Sequence, residues 1–348
     1  MDRDALVEAA HGGEPVRRQD LSSADLQALD LSGAIFEEVS FRGARLSQCD
    51  LRESVFLRCD FEGADLSGVN LHHTVFQECA LPDARLAGSF LGLTKFLSSS
   101  VAGADFSGCN LAIATFFKSA VPRARFVGSN LEKTQFVECG VDGVSFANAQ
   151  LKQTVILKTD LRTVDFVGAT LSVATMLECN LAGRDLRGLD LTLTQFMGSD
   201  FTEADLRDAT LSQCNFKDAD LTRARLDGAR CQRALFINAK LGRASLARAT
   251  LTQSIFQGAL LAETRLDGAT ADQCVFTKAR CPGAIFDGAD LTYSDFSYAD
   301  LSYAEFSRAT LMRTRFHQTQ ERGAVFSGNR LVALGDDDAL AAAENWRP

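Results

Sequence analysis

The feature that most constrains the fold of this chain is an apolar residue at every fifth position. In the stretch AGADFSGCNLAIATF, the apolar positions are Phe106, Leu111 and Phe116. A β-strand repeats every two residues and an α-helix about every 3.6, so neither element has this period. Stepping by five from Leu21 to Leu331 gives 63 positions without an insertion, and 59 of them are Leu, Phe, Val, Ile or Met. The chain is therefore built from one short unit that is repeated throughout.

Two other positions of the five-residue unit are also restricted. A small residue, nearly always Ala, Cys, Ser or Thr, precedes each apolar position by two, as at Ala64 and Cys79. Of the 26 glycines, 21 follow the apolar position by two, as at Gly63 and Gly108. Because glycine adopts positive φ without a steric penalty, this position predicts a turn in every unit.

These units resemble the pentapeptide-repeat family, whose consensus is A-(D/N)-L-x-x. The pattern covers about nine-tenths of the chain, and the copies that match the consensus include Ala64-Asp65-Leu66, Ala104-Asp105-Phe106, Ala204-Asp205-Leu206 and Ala299-Asp300-Leu301. The resemblance implies an all-β solenoid, namely a right-handed quadrilateral β-helix with four pentapeptides in each coil.

Residues spaced 20 apart support a four-sided coil independently of the resemblance. The series from Phe36 to Phe316 in steps of 20 has Phe at 13 of 15 positions, and the series from Leu31 to Leu331 has Leu at 14 of 16. A coil of 15 residues would mix these series. Because each coil of a solenoid packs only on its neighbours, stacked identical side chains are expected inside it. The sequence thus predicts a rigid rod of about sixteen coils.

The ends of such a solenoid need caps, because they expose strand edges and the apolar interior. Residues 2–11, DRDALVEAAH, predict a short helix in which Leu6 faces the first coil. Near the other end, Leu340 and Trp346 belong to a second predicted helix, and disorder of the last dozen residues is the alternative. The predicted division is an N-terminal cap over 1–19, the β-helix over 20–331 and a C-terminal cap or tail over 332–348.

The sequence contains no arrangement that predicts catalysis, a cofactor or a metal. All ten cysteines occupy inward positions and none forms a C-x-x-C pair, so we expect buried free thiols in a reducing cytoplasm. His72 and His73 are adjacent but fall at outward positions, where solvated side chains are expected. Nucleophile and phosphate-loop signatures are absent, and Leu and Phe fill the interior. An enzyme is therefore not expected.

The fixed register also identifies apolar residues that point outward. Some lie one residue before positions of the Phe series, including Leu235, Ile255 and Val275. Others succeed one another over about six coils, which exceeds what a monomer usually exposes. The expected use is a homodimer interface, a docking site for another protein or the bed of a terminal helix, and a short helix cannot cover six coils. This apolar stripe comprises Leu93, Leu97, Ile113, Phe117, Val137, Leu157, Val173, Leu177, Leu193 and Met197.

Charge makes a second candidate surface. The net charge of −9 disfavours direct binding to nucleic acid or to anionic membranes. Some pentapeptide-repeat proteins resemble B-DNA in shape and charge and bind DNA gyrase in its place, and this chain is similar to them in its negative charge. Arginines such as Arg162, Arg187 and Arg207 lie among the acidic residues and dilute the field. The acidic faces comprise Asp160, Asp165, Asp185, Asp200, Asp205 and Asp220.

The start of the chain carries a second resemblance. The segment LVEAAHGGEPVRRQDLSSADLQALDLSGA resembles the lead-in to pentapeptide modules encoded with bacterial type VI secretion genes. Such modules are regarded as adaptors or chaperones for effector loading. The expected function is thus a non-enzymatic protein-binding scaffold in the bacterial cytoplasm, possessing protein partners and no membrane or nucleic-acid ligand. Protection or inhibition of DNA gyrase is the alternative.

Overall fold

The computed structural model describes residues 1–345 of the 348-residue chain. Trp346, which we predicted to contact the C-terminal end, lies outside the described residues. The chain divides into two compact units, Met1–Thr175 and Met176–Pro348. The predicted boundaries of the two caps stay a prediction.

Two short helices flank a series of very short strands. The strands contain two or three residues each, because a coil with four sides leaves few residues between successive turns. The elements are α1 (Arg3–His11), β1 (Val16–Arg17), β2 (Ile35–Glu37), β3 (Val55–Leu57), β4 (Val75–Gln77), β5 (Lys95–Leu97), β6 (Thr115–Phe117), β7 (Gln135–Val137), β8 (Val155–Leu157), β9 (Thr175–Leu177), a 3₁₀-helix (Asn329–Val332) and α2 (Asp338–Asn345).

In the first unit, strands β1–β8 pair in parallel, each with the strand 20 residues further along the chain. Phe36 aligns with Phe56, and Phe136 aligns with Ile156. Three further ladders with the same spacing start at Asp20, Asp25 and Asp30, so four positions of each 20-residue coil are paired. The predicted fold class, a parallel β-solenoid, is confirmed.

The second unit keeps the 20-residue spacing but pairs mostly through single bridges. These bridges run from Asn180 with Asp200 to Glu305 with Val325, and the last bridge, Arg315 with Leu334, is one residue shorter. Because regular strands end at Leu177, the strands cover about eight turns. The predicted number of about sixteen coils is therefore imprecise as a count of strand-bearing turns.

The interior consists of stacked side chains from successive coils. The ring of Phe116 lies 4.7 Å from that of Phe96 and 4.8 Å from that of Phe136, with interplanar angles of 6° and 4°. Phe106 and Phe126 meet the Phe116 ring edge-on. Parallel-displaced and edge-to-face contacts are the favourable geometries for aromatic pairs. The predicted inward direction of the Phe series is confirmed, since Phe116 is fully buried.

Several of the small inward residues also donate hydrogen bonds to main-chain carbonyls. The Thr94 hydroxyl donates to the Leu71 carbonyl at 2.7 Å, and the Ser54 hydroxyl donates to the Leu31 carbonyl at 2.8 Å. Cys49 makes the corresponding contact through its thiol. Donors are tolerated here because each finds a main-chain acceptor in the preceding coil. All ten cysteines are buried free thiols, as predicted, and burial raises the pKa of Cys49 to about 11.

The turns confirm the prediction from the glycine spacing. All 21 glycines of that position have positive φ, for example 63° at Gly63 and 65° at Gly108. The same left-handed conformation extends to many residues that are not glycine at the same position of other units. The corner of the coil therefore imposes this backbone conformation whatever residue occupies it.

The N-terminal end is covered by α1. Leu6 is fully buried, and the Asp2 carboxylate caps the helix by accepting from the Ala5 N–H at 2.9 Å. The Arg3 guanidinium donates to the carbonyls of Asp25 and Gln27 at 3.1 and 2.8 Å. These carbonyls belong to the first coil, so Arg3 satisfies acceptors at the open edge of the solenoid.

At the C-terminal end the repeat changes register earlier than the sequence predicts. Leu331, which the spacing places inward, is 92% exposed, because the 3₁₀-helix replaces the expected turn. The Arg330 guanidinium instead lies 4.3 Å from the centroid of Phe316 and covers the end of the aromatic stack. His317 is fully buried, and its Nδ1 accepts from the Asp337 N–H at 3.1 Å. Its Nε2 lies 3.5 Å from the Glu344 carboxylate. These two contacts connect α2 to the solenoid.

Candidate functional site

In the first unit, part of the apolar stripe forms a continuous ladder across β5–β8. Leu97 aligns with Phe117, Phe117 with Val137 and Val137 with Leu157. Phe117 is 38% exposed, and the other three side chains are half-buried. Since neighbouring strands lie about 4.8 Å apart, the four side chains form one apolar row.

A second row of the apolar stripe runs along the adjacent corner of the same unit. It contains Leu93, Ile113 and Val173, of which Ile113 is 46% exposed and Val173 36%. Lys133 and Gln153 occupy the same corner of the intervening coils. Two coils carry a member of both rows, Leu93 with Leu97 and Ile113 with Phe117. The first unit thus presents its densest outward apolar surface around β5 and β6.

The second unit contributes the remaining members of the apolar stripe. Leu193 is 40% exposed and Met197 is 37% exposed, whereas Leu177 is half-buried. The Met197 carbonyl accepts from the Glu178 N–H at 3.1 Å, so Met197 lies on the coil that follows Leu177. In both units, every member of the apolar stripe points outward, which makes these residues available for contact.

Backbone conformation distinguishes the corner row from the rest of the surface. Leu93, Ile113, Val173 and Leu193 have φ between 62° and 63°. They are the only aliphatic residues larger than alanine among the positive-φ residues of the described chain; most other non-glycine residues there are polar or charged. A left-handed conformation costs an L-residue about 1–2 kcal/mol and is especially unfavourable for β-branched side chains. At these positions, exposure of an aliphatic side chain to water and the positive φ of the backbone are both unfavourable for the residue.

The terminal helices lie elsewhere. Helix α1 contacts the first coil, where Arg3 binds the carbonyls of Asp25 and Gln27. Helix α2 is held through Glu344, which lies beside His317 and accepts from the Tyr298 hydroxyl. None of these contacts involves a residue of the apolar stripe. The contacts therefore give no support to the interpretation of the stripe as a helix bed.

The acidic faces are largely neutralised by basic neighbours. Asp160 pairs with Arg162 at 2.7 Å, and Asp185 pairs with Arg187 at 2.6 Å. The hydrogen bond from Arg187 lowers the pKa of Asp185 to about 2.

Two of the other four acidic residues are also paired with a basic side chain, and two accept main-chain hydrogen bonds. Asp205 lies 2.6 Å from Arg207, and Asp220 lies 3.1 Å from Lys240. Asp165 and Asp200 accept main-chain N–H groups two residues further on, at 3.0 and 2.8 Å. Four of the six carboxylates of the acidic faces thus have a basic side chain at ion-pair distance.

Among residues 1–345, no group of three or more His, Cys, Asp or Glu side chains is placed to hold a metal ion. His72 and His73 lie near one another, with ring centroids 4.4 Å apart. The His72 ring also lies 5.3 Å from that of Phe90. No helix in the described part of the chain is long and apolar enough to cross a membrane.

Sequence reasoning located the apolar stripe but missed its strained backbone. The signal was present in the glycine spacing, because Leu93, Ile113, Val173 and Leu193 occupy the position that glycine prefers elsewhere. An aliphatic residue at such a position is unfavourable both for its backbone conformation and for its exposure to water. Residues of this kind are candidates for a functional role.

Structural comparison finds other solenoids. HetL, a pentapeptide repeat protein involved in heterocyst differentiation regulation from the cyanobacterium Nostoc sp. strain PCC 7120, is 20% identical over 79% of this chain and 94% of its own, with a TM-score of 0.28. QnrB1, a plasmid-mediated fluoroquinolone resistance protein, is 18% identical over 55% of this chain and 95% of its own, with a TM-score of 0.24. A search of curated proteins gives no significant match.

The family comparison is more extensive. The profile described as pentapeptide repeats matches in eight copies, and the matched residues include 20–91 and 174–328. These ranges cover more than half of the chain and coincide with the five-residue spacing and the 20-residue ladders. The chain belongs to the pentapeptide repeat family.

Proposed function

We propose that this protein is a non-enzymatic scaffold that binds another protein through the apolar stripe. The observation that carries the proposal is the corner row, where exposed aliphatic residues occupy positive-φ positions. Ile113 is the clearest case, since it is β-branched, 46% exposed and has φ of 63°. Burial against a partner would recover apolar area that the isolated chain leaves in water, worth about 25 cal/mol for each Å².

The centre of the proposed contact is the surface formed by Ile113 and Phe117. Phe117 aligns with Leu97 and Val137 on the neighbouring strands, so a partner side chain placed there would meet an aromatic ring with aliphatic groups on both sides. Lys118 lies 5.3 Å from the Phe117 ring and also 3.7 Å from Glu138, so the rim is polar. An apolar centre inside a polar rim is the usual anatomy of a protein interface.

The partner class that we propose is a type VI secretion effector or spike component, with the protein acting as adaptor or chaperone. Support comes from the resemblance of residues 6–34 to modules encoded with those genes. It also comes from a site that offers contact surface rather than catalytic groups. The ten buried free thiols support a reducing compartment, the bacterial cytoplasm.

The test compares capture of partner proteins from the native host by the wild type and by Phe117→Glu and Ile113→Lys. Both substitutions copy residues that the chain already uses at the same position of other coils, Glu37 and Lys133, so the fold should tolerate them. We expect a secretion effector or spike protein among the captured proteins, and its loss with either variant. An unpaired charge buried in the contact costs several kcal/mol.

The matched control is Gln77→Glu, which introduces the same charge at the position of Phe117 two coils earlier. It should retain the captured protein. If both stripe variants keep every partner of the wild type, the apolar stripe is not the interface. Light scattering of the same samples separates a homodimer, which would disappear in the variants, from a foreign partner.

Protection or inhibition of DNA gyrase is the second proposal, and it is supported by the net charge of −9 and the clustered aspartates. The basic partners of Asp160, Asp185 and Asp205 weaken it, because a DNA mimic needs an unscreened negative surface. A supercoiling assay with purified gyrase decides this point. Unchanged supercoiling, and unchanged quinolone sensitivity, at micromolar protein would remove gyrase as a target.

A further inference from the structure

The second unit has an outward surface that combines aliphatic and basic side chains. Leu235, Ile255 and Val275 succeed one another in a ladder of parallel bridges, and all three are half-buried. In the neighbouring ladder, Leu260 lies between Lys240 and Arg280 and is 38% exposed. We call this surface the basic–apolar patch, formed by Leu235, Ile255, Val275, Leu260, Lys278 and Arg280.

The patch is unusual in this chain because it lacks acidic residues. The three segments 233–240, 253–260 and 273–280 contain four basic residues and no Asp or Glu, although the whole chain has a net charge of −9. One basic residue, Lys240, is already paired with Asp220 at 3.1 Å. Within residues 1–345, Lys278 and Arg280 have no carboxylate at ion-pair distance.

Acidic residues at the border of the patch are engaged with other groups. Asp272 accepts from the Thr252 hydroxyl at 2.6 Å and from Gln273 at 3.1 Å. Asp295 lies 3.6 Å from Arg315. Asp300, which follows Arg280 in its ladder, accepts from the Ser302 N–H at 3.0 Å. Positive charge on the patch is therefore left for an external partner.

One edge of the patch is held in place by a chain of polar side chains. The Arg233 Nε–H donates to Gln253 at 2.8 Å, and the Gln253 amide donates to Gln273 at 3.1 Å. Side chains that are ordered beforehand lose less conformational entropy when a ligand binds. This edge thus offers a fixed boundary to the aliphatic ladder.

We propose that the basic–apolar patch binds a short segment of another protein that carries carboxylates around aliphatic side chains. The aliphatic ladder spans two bridge steps, about 10 Å, which suits about two turns of helix or three extended residues. Carboxylates beside that segment would meet Lys278 and Arg280. This proposal does not rest on the apolar stripe, since the two surfaces use different residues.

Charge and polarity favour an acidic protein segment over nucleic acid. A long polyanion would be repelled by the net charge of the chain, whereas a short segment interacts mainly with charges within a Debye length of about 8–10 Å. Phosphates would also leave the Leu235–Val275 ladder without an apolar partner. An aliphatic residue flanked by carboxylates satisfies both halves of the patch.

The experiment selects ligands for the full chain from a displayed library of random dodecamer peptides. Enriched peptides are labelled and their binding is measured by fluorescence anisotropy. We expect enrichment of Asp or Glu beside aliphatic residues, and binding that weakens at least about threefold between 50 and 300 mM NaCl because the charges are screened. Absence of enrichment, or enrichment without acidic residues, overturns the proposal.

Two variants test whether the selected peptides use the patch. Lys278→Glu combined with Arg280→Asp reverses its charge, and Ile255→Gln interrupts its aliphatic ladder. Each new residue already occurs at the same position of another coil, as Glu178, Asp220 and Gln195 do. We expect the charge reversal to weaken peptide binding at least about tenfold and Ile255→Gln at least about fivefold.

The matched control is Arg248→Asp, which changes charge on the same coils at another corner and copies Asp208. It should bind the peptides within about twofold of the wild type. Equal binding by the wild type and both patch variants overturns the proposal. Patch-dependent binding of a labelled 20-nucleotide DNA, or patch-dependent self-association in light scattering, would overturn it in favour of nucleic acid or of a second copy.

Discussion

At the scale of single residues, the corners of the coils show how position and residue type conflict. The corner backbone has positive φ in nearly every unit, and glycine or polar residues occupy most of these positions. Ile113 and Val173 are β-branched residues at the same corner. Both solvent exposure and backbone strain oppose them, and this conflict is the basis of the proposed protein contact.

Ile113→Asn tests this argument through stability. Removing a half-exposed isoleucine costs about 1 kcal/mol of apolar burial. Relief of left-handed strain returns about 1–2 kcal/mol, because asparagine tolerates this conformation. Asn148 and Asn238 already adopt positive φ in this chain. We expect the free energy of unfolding from urea titration to stay the same or rise by up to about 1 kcal/mol. A loss above about 1 kcal/mol would assign Ile113 to the stability of the fold.

At the scale of elements, a coil is stabilised by its two neighbours rather than by its own contacts. Each strand of the first unit has two or three residues and would not persist alone. Ladder hydrogen bonds, stacked rings and hydroxyl donors such as Thr94 connect it to the coils on both sides. The interior ring stack is therefore the part of an element where a small change should cost most.

Phe116→Ala measures that contribution. The ring is fully buried between Phe96 and Phe136, and the coil spacing set by the backbone ladder prevents its neighbours from closing the gap. We expect a loss of about 3–5 kcal/mol in the free energy of unfolding, measured by denaturant titration. Phe116→Ile is the control, since Ile156 occupies the same position one coil after Phe136, and it should cost less than the alanine. A loss below about 1 kcal/mol for alanine would contradict an interior role.

At the scale of the whole molecule, each unit is a series of coils whose stability depends on nearest neighbours. The N-terminal edge is covered by α1, and the C-terminal edge by Arg330 and α2. Terminal coils of such a series have one solenoid neighbour instead of two. Local opening should therefore begin at the chain ends.

Hydrogen exchange followed by mass spectrometry tests this expectation. In the first unit, ladder amides of residues 20–35 should exchange at least about tenfold faster than those of residues 61–136. In the second unit, residues 312–334 should exchange faster than residues 216–291 by a similar factor. Leu6→Asp, which places a charge in the contact between α1 and the first coil, should accelerate exchange in residues 20–35 alone. Uniform protection in both units would mean that each opens as one cooperative body.

The sequence alone determined the fold class and the direction of nearly every side chain. A period of five with a superposed period of 20 leaves one way to bury the Phe and Leu series, so inward and outward positions follow from counting. The apolar stripe and the buried cysteines were predictable for that reason. The register failed near the C-terminal end, where the 3₁₀-helix replaces a turn and exposes Leu331, and where the outward position of His317 is fully buried.

Only the tertiary structure showed the ion pairs between side chains and the contacts that cap the two ends. The pairing of Asp185 with Arg187 depends on side-chain reach rather than on periodicity. The same holds for the lack, within residues 1–345, of a carboxylate at ion-pair distance from Lys278. The capping roles of Arg3 and Arg330 arise where the repeat stops, so no repeat pattern encodes them. Periodicity determines which way a residue points, because the backbone repeats. The hydrogen-bond or ion-pair partner of a polar side chain depends on the residues of the adjacent coils, and these residues vary from coil to coil.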